Sequence, residues 1–378
     1  MALRIPLTAA PGNPSLHRAF DSATPMGLLA PLLAVILAGH ASAQWTSPPT
    51  TGAGVVYRTF WSPTAQATVS YHVSLPAAYG TDPAARFPVI YWLHGSGSPI
   101  AGIPALASWF RNATAAGKLP PVIVVFPFGM GASMWCDSKD GTVPMESVVI
   151  DDLLPEVDAS FRTIASRRGR VVEGFSMGGA GSARLGLRRP DLFAGISLLG
   201  AGPMQLDFMG APKGTDVPLR NRAALFEAVW GSDPAYYLAE HPWTIATQRA
   251  AAHVALCTKV RIGVGKSDAM LAPNLDFHAH LTGLGVPHGL TVVPGAGHDP
   301  MLTLQGLGEE GWAFYRDSFA TPCPQPADLD CSGAVDGADL GKLVGEWGPG
   351  HGVGDINGNG TVDGVDLGML LAAWGPVD

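Results

Sequence analysis

The sequence predicts an α/β fold with a mainly parallel central sheet. Short, almost continuous apolar runs at 89–93, 122–126 and 192–200 have the composition of strands that are buried on both faces. Segments of helical length at 105–117 and 145–161 alternate with such strands, which is typical of βαβ units. Ligands of these sheets bind beyond the carboxyl ends of the strands, so the residues that follow each strand are the first candidates for a site.

The remaining elements extend this sheet on both sides. Alternating polar and apolar residues at 55–75 predict an antiparallel pair of strands at the start. Later in the chain the pattern predicts a strand, a helix, a strand and a closing helix, at 257–263, 275–284, 289–293 and 312–319. Residues 202–249 contain prolines and several aromatic side chains and are expected to be irregular, forming either a cap over a pocket or a peripheral helical excursion.

The acidity of the chain is confined to its last part. Residues 1–325 carry 22 acidic and 22 basic side chains, whereas residues 326–378 carry nine acidic side chains and one basic side chain. A protein that binds nucleic acid needs clustered lysine and arginine to neutralise phosphates. The charge distribution therefore excludes nucleic acid as a partner.

The N-terminus has the pattern of an export signal. An apolar run at 26–38 precedes Ala41-Ser42-Ala43, whose small side chains suit cleavage before Gln44. We expect a signal peptide over residues 1–43, with Met26 as an alternative start and a membrane anchor as the alternative interpretation. The mature protein is then secreted or periplasmic, with no membrane span after the signal is removed.

The mature chain is expected to contain two domains. The large domain covers residues 44–320, a stiff linker with three prolines covers 321–327, and the acidic domain covers 328–378. Export makes the four cysteines candidates for disulfides. The pairings expected from sequence proximity and domain membership are Cys323 with Cys331 and Cys136 with Cys257.

A serine lies at the centre of a predicted strand–turn–helix. Residues 174–178 have the pattern G-x-S-x-G, between the apolar run that ends at Phe175 and a segment of small residues. The two glycines allow the strand and the helix to pass closely, and they hold Ser176 at the apex of the turn. Because the chain contains 48 glycines, the pattern alone is weak, and a glycine-rich turn with a surface serine is the simpler interpretation.

Two later residues supply the partners that a nucleophilic serine needs. A serine hydroxyl is a weak nucleophile unless a base accepts its proton and an acid orients that base. Asp268 follows the strand at 257–263 and His298 follows the last strand, so both are expected in loops that converge on Ser176. Asp276, inside a predicted helix, and Asp299, next to the histidine, are the alternatives for the acid.

The same turn is expected to bind an oxyanion. A tetrahedral intermediate needs preorganised N–H donors. The N–H of Met177 lies at the positive end of the predicted helix and is the first donor. The second donor is expected from the loop that follows strand 89–93, either from Ser96 or, as the alternative, from Gly97.

The large domain resembles the esterase-D/feruloyl-esterase/antigen-85 branch of the α/β hydrolases. The resemblance covers residues 55–320 and rests on ordered segments at 88–95, 133–135, 151–157, 174–179, 265–268 and 295–298. It implies the α/β-hydrolase fold and hydrolysis of carboxylic esters through an acyl-enzyme, without a metal or an organic cofactor. Many relatives have a tryptophan shortly after the histidine, whereas this chain has Asp299-Pro300-Met301, which departs from the pattern on the leaving-group side.

The acidic domain contains two copies of a twelve-residue loop, 27 residues apart. Oxygen-bearing side chains occupy positions 1, 3, 5, 9 and 12, and position 7 offers its carbonyl, which is the spacing of a Ca²⁺ loop. The expected ligands of the two sites are Asp328, Asp330, Ser332, Ala334, Asp336 and Asp339, and Asp355, Asn357, Asn359, Thr361, Asp363 and Asp366. A solvated acidic tail is the alternative interpretation.

Each loop runs into one short helix that ends in Trp-Gly, and no helix-forming segment precedes the second loop. This form resembles a type I dockerin, which implies a small all-α domain with two Ca²⁺ ions and a cohesin-like protein partner. Two departures concern that partner: Cys331 lies within the first loop, and positions where dockerins often present hydroxyl groups are Gly337-Ala338 and Gly364-Val365.

These inferences combine into one expectation. The chain is expected to be an exported serine carboxylesterase that acts on an ester substrate linked to a plant polysaccharide, such as feruloyl or acetyl groups on xylan. Its calcium-binding module would serve for attachment. An acyltransferase of the same branch and a catalytically silent attachment protein are the alternatives.

Overall fold

The computed structural model describes residues 45–52, 54–97, 100–210, 219–320, 325–329, 332–349, 354–357, 359 and 361–377. The predicted signal peptide over residues 1–43, the alternative start at Met26 and most of the predicted linker lie outside the described residues. The same holds for Asp330 and for the predicted pair Cys323–Cys331. In the described ranges no helix has the length and the apolar character needed to cross a membrane.

An eight-stranded sheet forms the centre of the structure. Its strands are β1 (Val55–Ser62), β2 (Ala67–Ser74), β3 (Val89–Leu93), β4 (Ile123–Pro127), β5 (Arg170–Phe175), β6 (Gly195–Leu199), β7 (Lys259–Gly265) and β8 (Gly289–Val293). Their spatial order is β1-β2-β4-β3-β5-β6-β7-β8. Strand β2 pairs antiparallel with β1 and β4, and the other pairs are parallel. The mainly parallel α/β sheet predicted from the sequence is confirmed.

The strands at the centre of the sheet are buried on both faces. In β3, Val89, Tyr91 and Leu93 belong to one apolar core, whereas Ile90 and Trp92 belong to another. Successive side chains of a strand point to opposite faces, so a strand between two cores must be apolar at every position. This explains why the continuous apolar runs of the sequence identified the strands.

Helices follow most of the strands in the described part of the chain. They are α1 (Ile103–Ala115), α2 (Met145–Ser147 and Leu154–Ser160, joined by a π-helical stretch Val148–Leu153), α3 (Met177–Arg188), α4 (Leu219–Trp230), α5 (Pro234–Ala239), α6 (Pro242–Ala255), α7 (Leu271–Gly283), α8 (Pro300–Gly306) and α9 (Gly308–Ala320). Two 3₁₀ turns, Ala77–Gly80 and Arg167–Gly169, precede β3 and β5. The helices expected at 105–117, 145–161, 275–284 and 312–319 are all present.

Of the two forms expected for residues 202–249, the helical excursion describes the second half, which forms α4, α5 and α6. The prolines of this segment begin helices instead of interrupting them. Pro234 and Pro242 lie in the first turn, where the missing N–H removes no intrahelical hydrogen bond. Asp233 accepts hydrogen bonds from two N–H groups at the start of α5, as an N-cap residue does. Helix α8, which was not predicted, begins in the same way at Pro300.

The predicted disulfide between Cys136 and Cys257 is not formed, because both cysteines are free. Cys136 is buried in the loop after β4, whereas Cys257 is exposed just before β7. Since β4 and β7 run in the same direction, the two cysteines lie toward opposite ends of the sheet. Burial raises the pKa of the Cys136 thiol to about 12, which keeps it protonated and unreactive.

A buried cluster of polar side chains connects the central strand β5 to the closing helix α9. Glu173 is fully buried and accepts hydrogen bonds from Arg261 of β7, from Tyr315 of α9 and from Ser197 of β6. A buried carboxylate is tolerated only when it is paired and hydrogen-bonded. The cluster therefore holds two strands, β6 and β7, and helix α9 around β5, the strand that leads to Ser176.

The acidic tail forms two similar halves. Its elements are β9 (Ala334–Val335), α10 (Gly337–Gly345), β10 (Gly348–Pro349), β11 (Thr361–Val362), α11 (Gly364–Ala372) and β12 (Gly375–Pro376). The strand after each helix pairs with the strand of the opposite half, β10 with β11 and β12 with β9. These short strand pairs add to the two expected helices. The Lys342 ammonium of α10 donates a hydrogen bond to the carbonyl of Ala165, so the tail contacts the large domain.

Candidate active site

Ser176 occupies a strained turn between β5 and α3. Its backbone has φ 59° and ψ −120°, a conformation that residues other than glycine rarely adopt. The glycines on either side make this turn feasible. A Cβ at Gly174 would lie 2.2 Å from the carbonyl oxygen of Gly178, and a Cβ at Gly178 would lie 1.9 Å from that of Leu93. The predicted elbow geometry is thus present around the serine.

The structure brings Ser176, His298 and Asp268 into one chain of hydrogen bonds. The distance between His298 Nε2 and Ser176 Oγ is 2.9 Å. His298 Nδ1 lies 2.9 Å from Asp268 Oδ1 and 3.0 Å from Oδ2. A carboxylate only accepts hydrogen bonds, so Nδ1 carries the proton of the neutral ring, and Nε2 is left to accept from the hydroxyl.

The positions of His298 and Asp268 are fixed by their surroundings. The Asp268 side chain is fully buried, and its Oδ1 also accepts a hydrogen bond of 2.8 Å from the N–H of Met270. The His298 ring is 27% exposed and packs against the Phe175 ring, with 4.5 Å between the ring centroids. The buried carboxylate therefore orients a ring that remains accessible from solvent.

The alternative acids have other places in the fold. Asp276 lies within α7, as its sequence context predicted. Asp299 is the N-cap residue of α8, where its Oδ1 accepts a hydrogen bond of 2.8 Å from the N–H of Leu302. The carboxylate that faces His298 Nδ1 is that of Asp268.

The loop after β3 lies against the serine, as the oxyanion prediction requires. A Cβ at Gly95 would be 3.2 Å from the Cβ of Ser176, and the Ser96 hydroxyl contacts the Met177 sulfur at 3.4 Å. The Met177 N–H is in the first turn of α3, where backbone N–H groups lack intrahelical partners. The N–H of Gly97 donates to the carbonyl of Gly131, so that donor is already engaged. Of the two alternatives, this geometry favours Ser96.

His94 is a residue of this site whose role the sequence reasoning missed. Its Nδ1 donates to the carbonyl of Gly95 at 2.7 Å, and its Nε2 accepts from the N–H of Gly129 at 2.9 Å. The Trp135 indole donates in turn to the His94 carbonyl. Burial lowers the pKa of His94 to about 4, so the ring is neutral at neutral pH. The sequence feature that could have indicated this role is the position of His94 directly after the buried strand β3.

The tail places its predicted metal ligands around folded loops. Asp328 accepts hydrogen bonds from the N–H groups of Ser332 and Gly333, and Asp366 accepts from those of Asn357 and Asp363. Asp328, Asp339 and Asp366 are fully buried. Asp328 and Asp339 belong to the first predicted loop and Asp366 to the second, and carboxylate oxygens are the ligand type that a hard cation such as Ca²⁺ takes. The described residues contain no group of three His, Cys, Asp or Glu in a metal-binding arrangement, and Asp330 is not among them.

Part of this loop geometry has a purely structural explanation. Asp336 and Asp363 are the N-cap residues of α10 and α11, and Asp339 and Asp366 accept hydrogen bonds from the backbone N–H groups of those caps. Such capping boxes stabilise helix starts without any metal. These four side chains therefore stabilise the starts of α10 and α11, and they are also among the predicted ligands of the two cation sites.

Comparison with curated proteins finds relatives of part of the chain. The endo-1,4-beta-xylanase/feruloyl esterase of Xylanibacter ruminicola is 34% identical over 169 residues, which are 41% of this chain and 22% of that protein. An esterase of Mycobacterium tuberculosis is 36% identical over 129 residues, 33% of this chain and 27% of that protein. The matched segment spans only about a quarter of the length of these relatives.

Comparison with solved structures identifies the same fold. A ferulic acid esterase superimposes with a TM-score of 0.58 at 22% identity, covering 71% of this chain and 100% of that chain. An S-formylglutathione hydrolase from Agrobacterium tumefaciens gives a TM-score of 0.55 at 18% identity, covering 72% and 99% of the two chains. At these identities the similarity concerns the α/β-hydrolase fold alone.

A family model described as putative esterase matches residues 62–298. The match begins at the end of β1 and ends at His298. It includes the strained turn at Ser176, the loop of Asp268 and the loop after β3. Because the match covers more than half of the sequence, the chain belongs to the putative esterase family.

Proposed function

We propose that the protein is an exported serine carboxylesterase in which Ser176 is the nucleophile, His298 the general base and Asp268 the residue that orients the histidine. The observation that carries the proposal is the uninterrupted hydrogen-bond path from the buried Asp268 carboxylate through His298 to Ser176 Oγ, with 2.9 Å at each step. A serine, a base and an orienting acid at such distances are the requirements for nucleophilic catalysis.

The geometry supports a two-step reaction. In the first step Ser176 Oγ attacks the ester carbonyl carbon while its proton passes to His298 Nε2. The carbonyl oxygen becomes an oxyanion, which the N–H groups of Met177 and Ser96 stabilise by about 3 kcal/mol for each donor. The imidazolium then protonates the leaving alcohol, and an acyl-enzyme remains on Ser176.

The second step repeats the first with water in place of the serine. His298 Nε2 takes a proton from a water molecule, which attacks the acyl carbon, and Ser176 Oγ leaves with the proton returned by the ring. Asp268 stays ionised and stabilises the imidazolium in both steps. Its burial and its hydrogen bond from Met270 hold it in place for this role. These steps need no metal or organic cofactor.

The proposed substrates are carboxylic esters on plant polysaccharide, such as feruloyl or acetyl groups on xylan. The support is one relative, the endo-1,4-beta-xylanase/feruloyl esterase of Xylanibacter ruminicola, together with the fold shared with a ferulic acid esterase. In this proposal the protein is exported by its N-terminal signal and acts outside the cytoplasm.

The tail is proposed to be a dockerin-like domain over residues 328–378 that binds two Ca²⁺ ions. Asp328, Asp339 and Asp366 would supply buried carboxylates, and the other predicted positions of each loop would complete the oxygen donors. A bound Ca²⁺ ion would supply charge neutralisation that keeps these carboxylates ionised in the folded loops. A cohesin-like protein is the proposed partner of this domain.

The experiment that tests the catalytic proposal compares Ser176→Ala with the matched control Ser267→Ala. Ser267 is an exposed serine of the loop that carries Asp268. The substrates are acetyl-xylan, methyl ferulate and p-nitrophenyl esters, and a fluorophosphonate probe reports the reactive serine. We expect hydrolysis and labelling in the wild type and in Ser267→Ala, and neither in Ser176→Ala.

The same experiment separates the alternatives. Hydrolysis that survives Ser176→Ala contradicts the proposed mechanism. A wild type that is neither labelled nor active indicates a catalytically silent attachment protein. Transfer of most acyl groups to an added sugar in place of water indicates an acyltransferase.

A further inference from the structure

A small cavity with walls of apolar side chains lies beside the candidate active site, between the sheet and α1. Its volume is about 120 Å³. Trp92 of β3 and Phe126 of β4 form one wall, and Ile103 and Leu106 of α1 form the opposite wall. His94 is the one ionisable side chain among the described residues of the lining, and both of its ring nitrogens are hydrogen-bonded to backbone groups. The larger part of the surface that a ligand would contact in the cavity is therefore apolar.

Two residues of the cavity lining, Gly95 and Phe175, are also neighbours of the candidate catalytic residues. A methyl group at Gly95 would lie 3.9 Å from Ser176 Oγ, so the missing side chain leaves space between the hydroxyl and the cavity. The Phe175 ring lies against the His298 ring, with 4.5 Å between their centroids. The cavity therefore adjoins Ser176 and His298 on the side of Gly95 and Phe175.

We propose that this cavity is the acyl-binding pocket and that it selects short, apolar acyl groups. The inference rests on the proposed function, because it concerns the ester that Ser176 would cleave. The alcohol part of a polysaccharide ester is a polymer that must remain in solvent. A partly enclosed cavity of this size therefore accommodates the acyl part, while the polymer stays outside it.

The volume of the cavity limits the length of the acyl group. An apolar cavity of about 150 Å³ is known to hold a benzene molecule, so about 120 Å³ has room for an acetyl to butyryl chain. A feruloyl group consists of a substituted ring plus a propenoyl linker, and its ring would remain outside the cavity. Of the two acyl groups proposed above, the cavity therefore favours acetyl over feruloyl.

The test measures kcat/KM for p-nitrophenyl acetate, butyrate and octanoate and for methyl ferulate. We expect the wild type to prefer acetate or butyrate over octanoate and methyl ferulate by at least about tenfold, the usual effect of misfit in an apolar pocket. Leu106→Ala enlarges the cavity and is expected to raise the octanoate-to-acetate ratio about tenfold. Ile103→Phe fills it and is expected to lower the butyrate-to-acetate ratio by a similar factor.

Leu119→Ala is the matched control. Leu119 and Leu106 are buried to similar degrees, 3% and 5% exposed, in the same apolar core, but Leu119 does not line the cavity. The control is expected to lose stability as Leu106→Ala does and to keep the wild-type ratios. If Leu106→Ala does not fold, Leu106→Val carries the same ratio test with a smaller cavity change.

The outcomes distinguish the two proposals. An active wild type that hydrolyses methyl ferulate as efficiently as the acetate ester overturns the acyl pocket. So do unchanged chain-length ratios in folded variants of Leu106 and Ile103, or a ratio that changes equally in Leu119→Ala. Absence of all ester hydrolysis in the wild type, or its survival in Ser176→Ala, rejects the proposed function itself.

Discussion

Replacing Asp268 by asparagine tests the orienting role of this side chain with a minimal change of shape. In the wild type Oδ1 accepts the N–H of Met270 and lies 2.9 Å from His298 Nδ1, and Oδ2 lies 3.0 Å from the same nitrogen. The amide of an asparagine keeps its oxygen toward the Met270 N–H, because that donor needs an acceptor. Its NH₂ group then occupies the position of Oδ2 and points a hydrogen at Nδ1.

An N–H directed at Nδ1 favours the tautomer of His298 that carries its proton on Nε2. That nitrogen can no longer accept the proton of Ser176, from which it is 2.9 Å away. The loss expected for a wrong tautomer in an otherwise intact triad is about 10⁴-fold in kcat, or about 5.5 kcal/mol in the activation free energy.

The assay is steady-state hydrolysis of p-nitrophenyl acetate, with the melting temperature as the measure of folding. Asp276→Asn and Asp299→Asn are matched controls, since both were alternatives for the acid. They are expected to keep activity within about threefold, with a small loss of stability for Asp299→Asn, because that variant changes an N-cap. An Asp268→Asn variant within tenfold of wild-type kcat, or a 10⁴-fold loss in Asp276→Asn, refutes the assignment.

Three further predictions follow from the contacts around the site and in the tail. Gly178→Ala places a Cβ 1.9 Å from the carbonyl oxygen of Leu93, and urea titration should show an unfolding free energy lowered by about 3 kcal/mol. Gly80→Ala is the control, because a Cβ there meets open space and should change the unfolding free energy little. His94 is neutral in the native state down to pH about 4, whereas an unfolded histidine binds a proton below about pH 6.5, so the contribution of His94 to the unfolding free energy should fall by about 3 kcal/mol as the pH drops from 6.5 to 4. Burial also lowers the pKa of His241, to about 3, so the total loss of stability should be larger. His94→Gln should flatten that slope, and an identical slope contradicts the assignment. EDTA should reduce the far-UV helical signal by the share that the two nine-residue tail helices contribute to it. In Asp366→Ala this change of the spectrum on adding EDTA should be absent. A wild-type spectrum that EDTA does not change argues against bound Ca²⁺.

Much of the fold could be predicted because its signals are local. Strands such as β3 face two cores, so every residue must be apolar, and the run is visible without any tertiary information. The order of Ser176, Asp268 and His298 along the chain, each just after a predicted strand, also placed them at one edge of the sheet. Their mutual distances agree with that reasoning.

The features that the sequence did not show depend on contacts between distant segments. The role of His94 depends on Gly129 and Trp135, which come from another loop. The pairing of Cys136 with Cys257 was wrong because Cys136 follows β4 and Cys257 precedes β7, and these strands, which run in the same direction, put the two cysteines toward opposite ends of the sheet. The helical excursion after residue 218 stayed one of two alternatives, without bounds, because proline marks the start of a helix as readily as its interruption.

The exchange of strands in the tail makes the two loops mutually dependent. The last strand, β12, completes the first half by pairing with β9, while β10 of the first half completes the second by pairing with β11. Proteolytic trimming after Trp374 would therefore release β9, which lies forty residues earlier in the first loop. Ordering of either loop positions the strand partner of the other, so ion binding to the pair should be cooperative, with a Hill coefficient above one.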